Sequence, residues 1–143
     1  MLKNITEKID KNFILRFIKF GIVGTSGIAI NTSVLWLFKG VLGVPLAIAP
    51  IFAIGMAVFS NFMLNNHWTW SKNKHNHKHS FLHRLWRYYL SASLGALINY
   101  TFLLSLTHFF DVYYLIANLV GIFLGMISNF ILGEFWVFKS VED

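Results

Sequence analysis

Two pairs of cations and five asparagines are the residues of this chain with chemistry to offer. Arg16 and Lys19 stand three apart, and Arg84 and Arg87 repeat the arrangement 68 residues later. Residues three apart share a helix face, so each pair sets two positive groups side by side. Arginine matches phosphate oxygens bidentately and lysine adds a point charge. Two readings stand for these pairs: ligands for a phosphate, or flanking cations that orient a membrane helix. Asn31 and Asn99 lie deep in apolar sequence, and Asn61, Asn65 and Asn129 lie where apolar runs end. A buried amide is costly unless it finds a partner. These five form a polar seam, whose role is either interhelical glue or contact with a polar ligand.

Catalytic groups are scarce. Asp111 and Glu134 are the only acidic residues between positions 11 and 141. They fall at opposite ends of the apolar runs, so no carboxylate pair is available for acid–base work. Gly21, Gly24 and Gly27 lie within a helix that no strand precedes, which makes them packing residues rather than a phosphate loop. His75, His77 and His79 alternate in the stretch SKNKHNHKHS at 71–80, a composition expected to stay solvated. Glu134 reads as a wetted or arginine-paired residue at a helix end. The chain has no cysteine, hence no disulfide and no thiolate metal site. The expectation is a protein that is not an enzyme and holds neither a metal nor a cofactor.

The elements that must position these residues are membrane helices. Only 13% of the 143 residues are charged while 56% are hydrophobic, against about 25% charged in soluble domains. Four stretches account for the deficit: 17–38, which contains only Lys19, and 45–64, 88–110 and 112–133, which have no Asp, Glu, Lys or Arg. About 20 helical residues span the roughly 30 Å hydrocarbon core. Too little polar sequence remains to surround four such helices in water. Helices are expected over about 16–38, 45–65, 84–108 and 113–133. Asn31 and Asn99 then sit about two-thirds of the way across the bilayer.

Eleven of the 12 Lys and Arg residues lie in the N-terminal tail, the central loop and the C-terminal end, with Lys39 alone on the other side. Both termini and the loop are therefore expected in the cytoplasm. Trp68, Trp70, Trp86 and Trp136 mark the inner interface, and Trp36, Tyr113 and Tyr114 the outer. Residues 1–15 read as a short amphipathic surface helix or a frayed tail. The N-terminus lacks the small-residue cleavage site of a signal peptide.

Residues 16–70 align without a gap on 84–138, with identities at Arg16/Arg84, Gly27/Gly95, Asn31/Asn99, Asn61/Asn129 and Trp68/Trp136. The chain is thus read as one membrane domain over 1–143: repeat one at 16–70, a loop at 71–83 and repeat two at 84–138. The fold class is all-α, four transmembrane helices as two parallel two-helix repeats. Parallel repeats place transporter sites at their interface. Ala49, Ala53, Ala57, Asn61 and Asn65 recur every fourth residue, and Ala117, Gly121, Gly125, Asn129 and Gly133 match them. Small-xxx-small stripes let backbones approach closely. The expectation is that helices two and four pack through these stripes, against each other across the pseudo-axis, with Asn61 and Asn129 closing the contact.

The order Arg16, Phe20, Gly24, Gly27, Asn31, then Ser60 to Trp70, with its second copy at Arg84, Gly95, Asn99 and Ser128 to Phe138, resembles the GtrA-like membrane proteins. The resemblance covers about 16–139. It implies translocation of a polyprenyl-phosphate-linked monosaccharide, such as one carried on undecaprenyl phosphate, across the cytoplasmic membrane. Such lipids supply sugars to O-antigen, teichoic acid and other cell-envelope polymers. It equally admits a non-transporting anchor or partner of a polyprenyl-phosphate glycosyltransferase. The implied partners are the lipid-linked sugar, membrane lipid, further copies of the chain and such a transferase, with no nucleic acid. Family members often carry Asn-Arg before the tryptophan. Here those positions are Asn66-His67 and Glu134-Phe135, which moves the weight onto Arg16, Lys19, Arg84 and Arg87.

Overall fold

The computed structural model describes residues 11–45, 47–73 and 77–141. The expected N-terminal surface helix falls mainly on residues 1–10, outside the described residues. Helix α1 spans Lys11–Leu35 and runs on into a π-helical turn at Trp36–Val41; α2 spans Ala49–Leu64, followed by a π-helical turn at Asn65–Thr69 and a 3₁₀ turn at Ser71–Asn73. Helix α3 spans Phe81–Phe110, and α4 spans Tyr114–Leu132 with a π-helical turn at Gly133–Val137. No strand occurs among the described residues. The chain forms two compact units, Met1–Lys74 and His75–Asp143. Each is an antiparallel helix pair, α1 with α2 and α3 with α4.

Among the described residues, three segments are long and apolar enough to cross a membrane: Lys11–Val41, Phe81–Phe110 and Ile116–Val137. Helix α2, with 16 residues, rises about 24 Å and needs its π-helical turn to approach the roughly 30 Å of a hydrocarbon core. The outward faces carry the large apolar side chains: Trp36 is 67% exposed, Leu82 74% and Phe109 81%. Along the helix seams the buried positions hold small residues such as Ala49, Ala53, Ala57 and Ala117, and the large buried side chains, Phe62, Trp70, Phe130 and Phe138, gather where α2 and α4 end. A protein in water shows the reverse arrangement; lipid supplies the missing apolar surroundings.

The same local solutions recur 68 positions apart. Each unit turns its helix corner through a left-handed residue, Gly43 at φ 67° and Asp111 at φ 51°. In each, the next amide reaches back over the corner, Val44 N–H to Phe38 O at 2.8 Å and Val112 N–H to Leu106 O at 3.0 Å. Aspartate is one of the few side chains that tolerates this backbone region. Helix α3 starts at Ser80, whose Oγ accepts from His83 N–H at 3.4 Å, a normal serine N-cap. Hydroxyls on the exposed helix faces back-bond to their own helix: Thr25 Oγ1 donates to Gly21 O and Ser93 Oγ to Tyr89 O, both at 3.0 Å.

The small-residue stripes pack within each helix pair, a departure from the expected contact between helices two and four. A Cβ added at Gly27 would lie 2.5 Å from the Asn61 amide, and one at Gly95 would strike Asn129. On α4, Gly121 and Gly125 face backbone carbonyls of α3, those of Asn99 and Gly95. Small-xxx-small spacing specifies a close approach but not the partner, and the helix adjacent in sequence is at hand across a short turn. Asn61 and Asn129 are therefore the wedges over Gly27 and Gly95, each in its own repeat.

Candidate functional site

Each helix pair carries its cations at the end where the chain enters α1 or α3, beside the aromatic residues that follow α2 or α4. In both units a π-helical turn re-aims the last aromatic inward. Trp70 N–H bonds to Asn65 O and Phe138 N–H to Gly133 O, both at 2.9 Å. Trp70, read from sequence as an interface residue, is only 1% exposed. It meets Phe20 edge-on at 5.9 Å between ring centroids, as Phe138 meets Tyr88 at 6.0 Å. The second cation of each pair lies over the preceding indole, Lys19 Nζ 5.3 Å from the Trp68 ring and the Arg87 guanidinium 4.9 Å from Trp136. Cation–π attraction of this kind is worth about 0.5–1 kcal/mol at exposed sites.

Beyond that frame the two ends differ. In repeat one, Arg16, Lys19 and Lys72 line an open cleft together with Asn12, Thr69 and Ser71. The cleft has a cavity volume of about 50 Å³, well below the roughly 300–1,000 Å³ of ligand pockets, so it is a shallow surface notch too small for a whole lipid. Lys72 Nζ donates to Asn12 Oδ1 at 3.3 Å. In repeat two, Arg84 is buried, 7% exposed. Arg87 donates to Trp136 O at 3.0 Å and stands 2.9 Å from His79 Nε2. Arginine is always a donor here, so His79 accepts through Nε2 and is neutral at that nitrogen. The segment before α3 is tied to the chain end by a bridge between His77 and Ser140 and by Lys78 N–H to Lys139 O at 3.1 Å. This part of the supposedly solvated loop is therefore docked; His75 lies outside the described residues.

Burial pushes the His77 imidazole down to about 4, aided by the positive charge of Arg84 and only partly opposed by the Phe138 backbone. His79 is lowered too, by burial first and then by Arg87. A docked His77 is neutral, whereas an undocked one titrates near its ordinary 6.5. Docking is thus at full strength above about pH 6.5 and weakens as pH falls toward about 4. One proton limits the slope to about tenfold per pH unit, and partial exposure reduces it. The hydrogen-exchange protection factor of the Lys78 amide is expected to fall between pH 7 and pH 5, and to fall less over that range in His77→Gln, where only His79 still titrates with docking.

The asparagines divide by repeat. Asn129 Oδ1 accepts from Ser91 at 3.4 Å. The residue matching Ser91 in repeat one is Val23, and Asn61 Oδ1 is buried with no hydrogen-bond partner among the described residues. Asn99 Oδ1, against Gly121, is likewise buried and unpartnered. Asn31 is half-buried on α1. Asn65 is buried, and Thr69 donates to its Oδ1 at 2.7 Å; repeat two has Gly133 and Val137 there instead. Glu134 is half-buried on the second of these turns. Among the described residues no group of three His, Cys, Asp or Glu side chains is placed to hold a metal ion.

Sequence reasoning missed Lys72, hidden in a polar low-complexity stretch. Carrying the 68-residue offset two positions past Trp70 would have matched Lys72 to Ser140 and shown that these chain segments belong to the repeats.

Residues 19–140 match the family described as "GtrA/DPMS, transmembrane domain". The chain belongs to that family. Its multi-pass membrane character follows from the family and from the apolar helices together. Over 119 residues the chain is 39% identical to a dolichol-phosphate mannosyltransferase of Pyrococcus furiosus, an alignment covering 83% of this chain and 32% of the relative. The chain thus spans about a third of the length of the curated relative it matches.

Proposed function

We propose that this protein is a non-catalytic membrane module that flips a polyprenyl-phosphate-linked monosaccharide across the cytoplasmic membrane, for glycosylation of envelope polysaccharide or teichoic acid. The observation that carries the reading is the cleft of repeat one: three cations, Arg16, Lys19 and Lys72, at the end of a helix pair whose outer face is built for lipid. A phosphate seats in the cleft while the prenyl tail stays in hydrocarbon. Asn61 and Asn99, whose amide oxygens have no hydrogen-bond partner among the described residues, offer acceptors for sugar hydroxyls at depth. All four helices span the membrane as two parallel repeats, both termini are cytoplasmic, and the lipid moves down its own gradient. Four helices are few to enclose a sugar, so the active form is a homo-oligomer or a complex with a transferase.

A second reading is favoured by the mannosyltransferase relative: the module anchors or orients a polyprenyl-phosphate glycosyltransferase and moves nothing. Proteoliposomes holding a fluorescent short-chain polyprenyl-phosphate glucose in the inner leaflet separate the two. The flippase is expected to deliver it outward within minutes, and Arg16→Ala/Lys72→Ala to reduce the rate at least tenfold. Transfer at the rate of empty liposomes overturns the flippase in favour of the anchor. Normal transfer by the double variant overturns the assigned cleft.

A further inference from the structure

We infer that Asn31 hydrogen-bonds the hydroxyl groups of the sugar deep in the membrane, and that the sugar reaches it along an open flank of α1. The inference deepens the flippase reading above and rests on it. The first observation comes from the two seams. In repeat two, a Cβ added at Gly121 would lie 2.5 Å from the Asn99 amide oxygen. That oxygen is buried, so the amide fills the space the missing side chain leaves. The matching residue in repeat one is Ala53, which is 0% exposed. A methyl group therefore stands where repeat two has room for the amide. Ala57 likewise replaces Gly125, where a Cβ would come 2.6 Å from the Gly95 carbonyl oxygen. Asn31 is thus kept from the seat that Asn99 takes. It is half-buried, its amide is not among the enclosed groups, and it forms no hydrogen bond among the described residues.

The second observation is the space beside that amide. Gly24 lies two helical turns before Asn31 and shares its face. Gly24 is exposed, and a Cβ at Gly24 or Gly21 would meet nothing within 4 Å. Repeat two has Ala92 and Tyr89 at those positions. The differences between the repeats point one way: alanine in the seam keeps the Asn31 amide out, and glycine on the flank clears the approach to it. A polar group at this depth needs a partner. A carboxamide donates and accepts at once, which suits neighbouring sugar hydroxyls. Asn61 and Asn99 present their buried oxygens only to a group that enters a seam. Asn31 is met from the lipid side with the helices in place, while the prenyl tail stays in hydrocarbon. The contact is with the sugar alone and involves neither the phosphate nor a cation.

The test uses the full chain in proteoliposomes with two fluorescent probes, farnesyl-phosphate glucose and farnesyl methyl phosphate, a diester of the same charge without a sugar. The wild type is expected to move both. Asn31→Ala should slow the glucose lipid about three- to tenfold, the loss of one hydrogen bond, and leave the methyl diester unchanged. Asn31→Gln, which keeps the amide, should retain more of the glucose rate than Asn31→Ala. Ala53→Gly gives repeat one the glycine of repeat two, so the intact Asn31 amide can turn into the seam. It should slow the glucose lipid with the same selectivity. Equal glucose transfer by wild type and Asn31→Ala overturns the inference and leaves the flippase standing. A loss shared equally by both probes also overturns it, and smaller oligomers of Asn31→Ala by photobleaching would then assign the amide to a contact with a second copy. Wild-type transfer no faster than that of empty liposomes overturns the flippase and the inference together.

Discussion

Gly125→Val is expected to break the second helix pair, whereas Gly55→Val leaves the first intact. A Cβ at Gly125 would come 2.6 Å from the Gly95 carbonyl oxygen and 3.3 Å from its carbon. Those are backbone atoms, so no rotamer change relieves the contact and α3 and α4 must move apart. Neighbouring seats then loosen, because Gly121 faces the Asn99 backbone in the same seam. Overpacking costs about 1–3 kcal/mol and occasionally more, and valine against fixed backbone belongs at the top of that range. Gly27→Ala is the milder case, since the group it meets is the Asn61 amide, which can turn. A Cβ at Gly55 meets nothing within 4 Å. Equilibrium unfolding in mixed micelles should rank the variants Gly125→Val, then Gly27→Ala, then Gly55→Val at wild-type stability. Equal stability of the first and last would show that the close seam does not hold the pair together.

The helices were legible because charge-free runs of 20 or more residues admit few other structures in so small a chain. The corner geometry was legible in principle, since Gly43 and Asp111 occupy matched positions and both are residue types that tolerate a left-handed backbone. Partner choice was not. The stripes of alanine and glycine announce close approach, and only the three-dimensional structure assigns them to the helix adjacent in sequence. The inward turn of Trp70 was also hidden, because a tryptophan at a helix end reads as an interface anchor unless the π-helical turn beneath it is known. The cation pairs share one spacing yet differ in surroundings. The difference lies in Lys19 against Arg87, and in the segments that precede and follow each pair, which a motif of two residues does not contain.

Those divergent positions yield the second prediction, a thermodynamic cycle at Asn65 and Thr69. Both residues are buried, at 1% and 4% exposure, and Thr69 Oγ1 donates to Asn65 Oδ1 at 2.7 Å. Repeat two has lost both polar groups together, with Gly133 and Val137 in their places, and still forms the same π-helical turn and the same inward aromatic. A buried hydrogen-bonding group deprived of its partner costs about 1–3 kcal/mol, whereas replacing both partners by apolar groups is far less harmful. Asn65→Ala and Thr69→Val are each expected to destabilise by that amount. The double variant should lose less than the sum of the two, leaving a coupling of about 0.5–1.5 kcal/mol. Strict additivity would mean that the hydrogen bond contributes nothing to the fold. In that case the pair in repeat one was retained for what it presents to the cleft that Thr69 lines, and Thr69→Val should then weaken phosphate binding with stability unchanged.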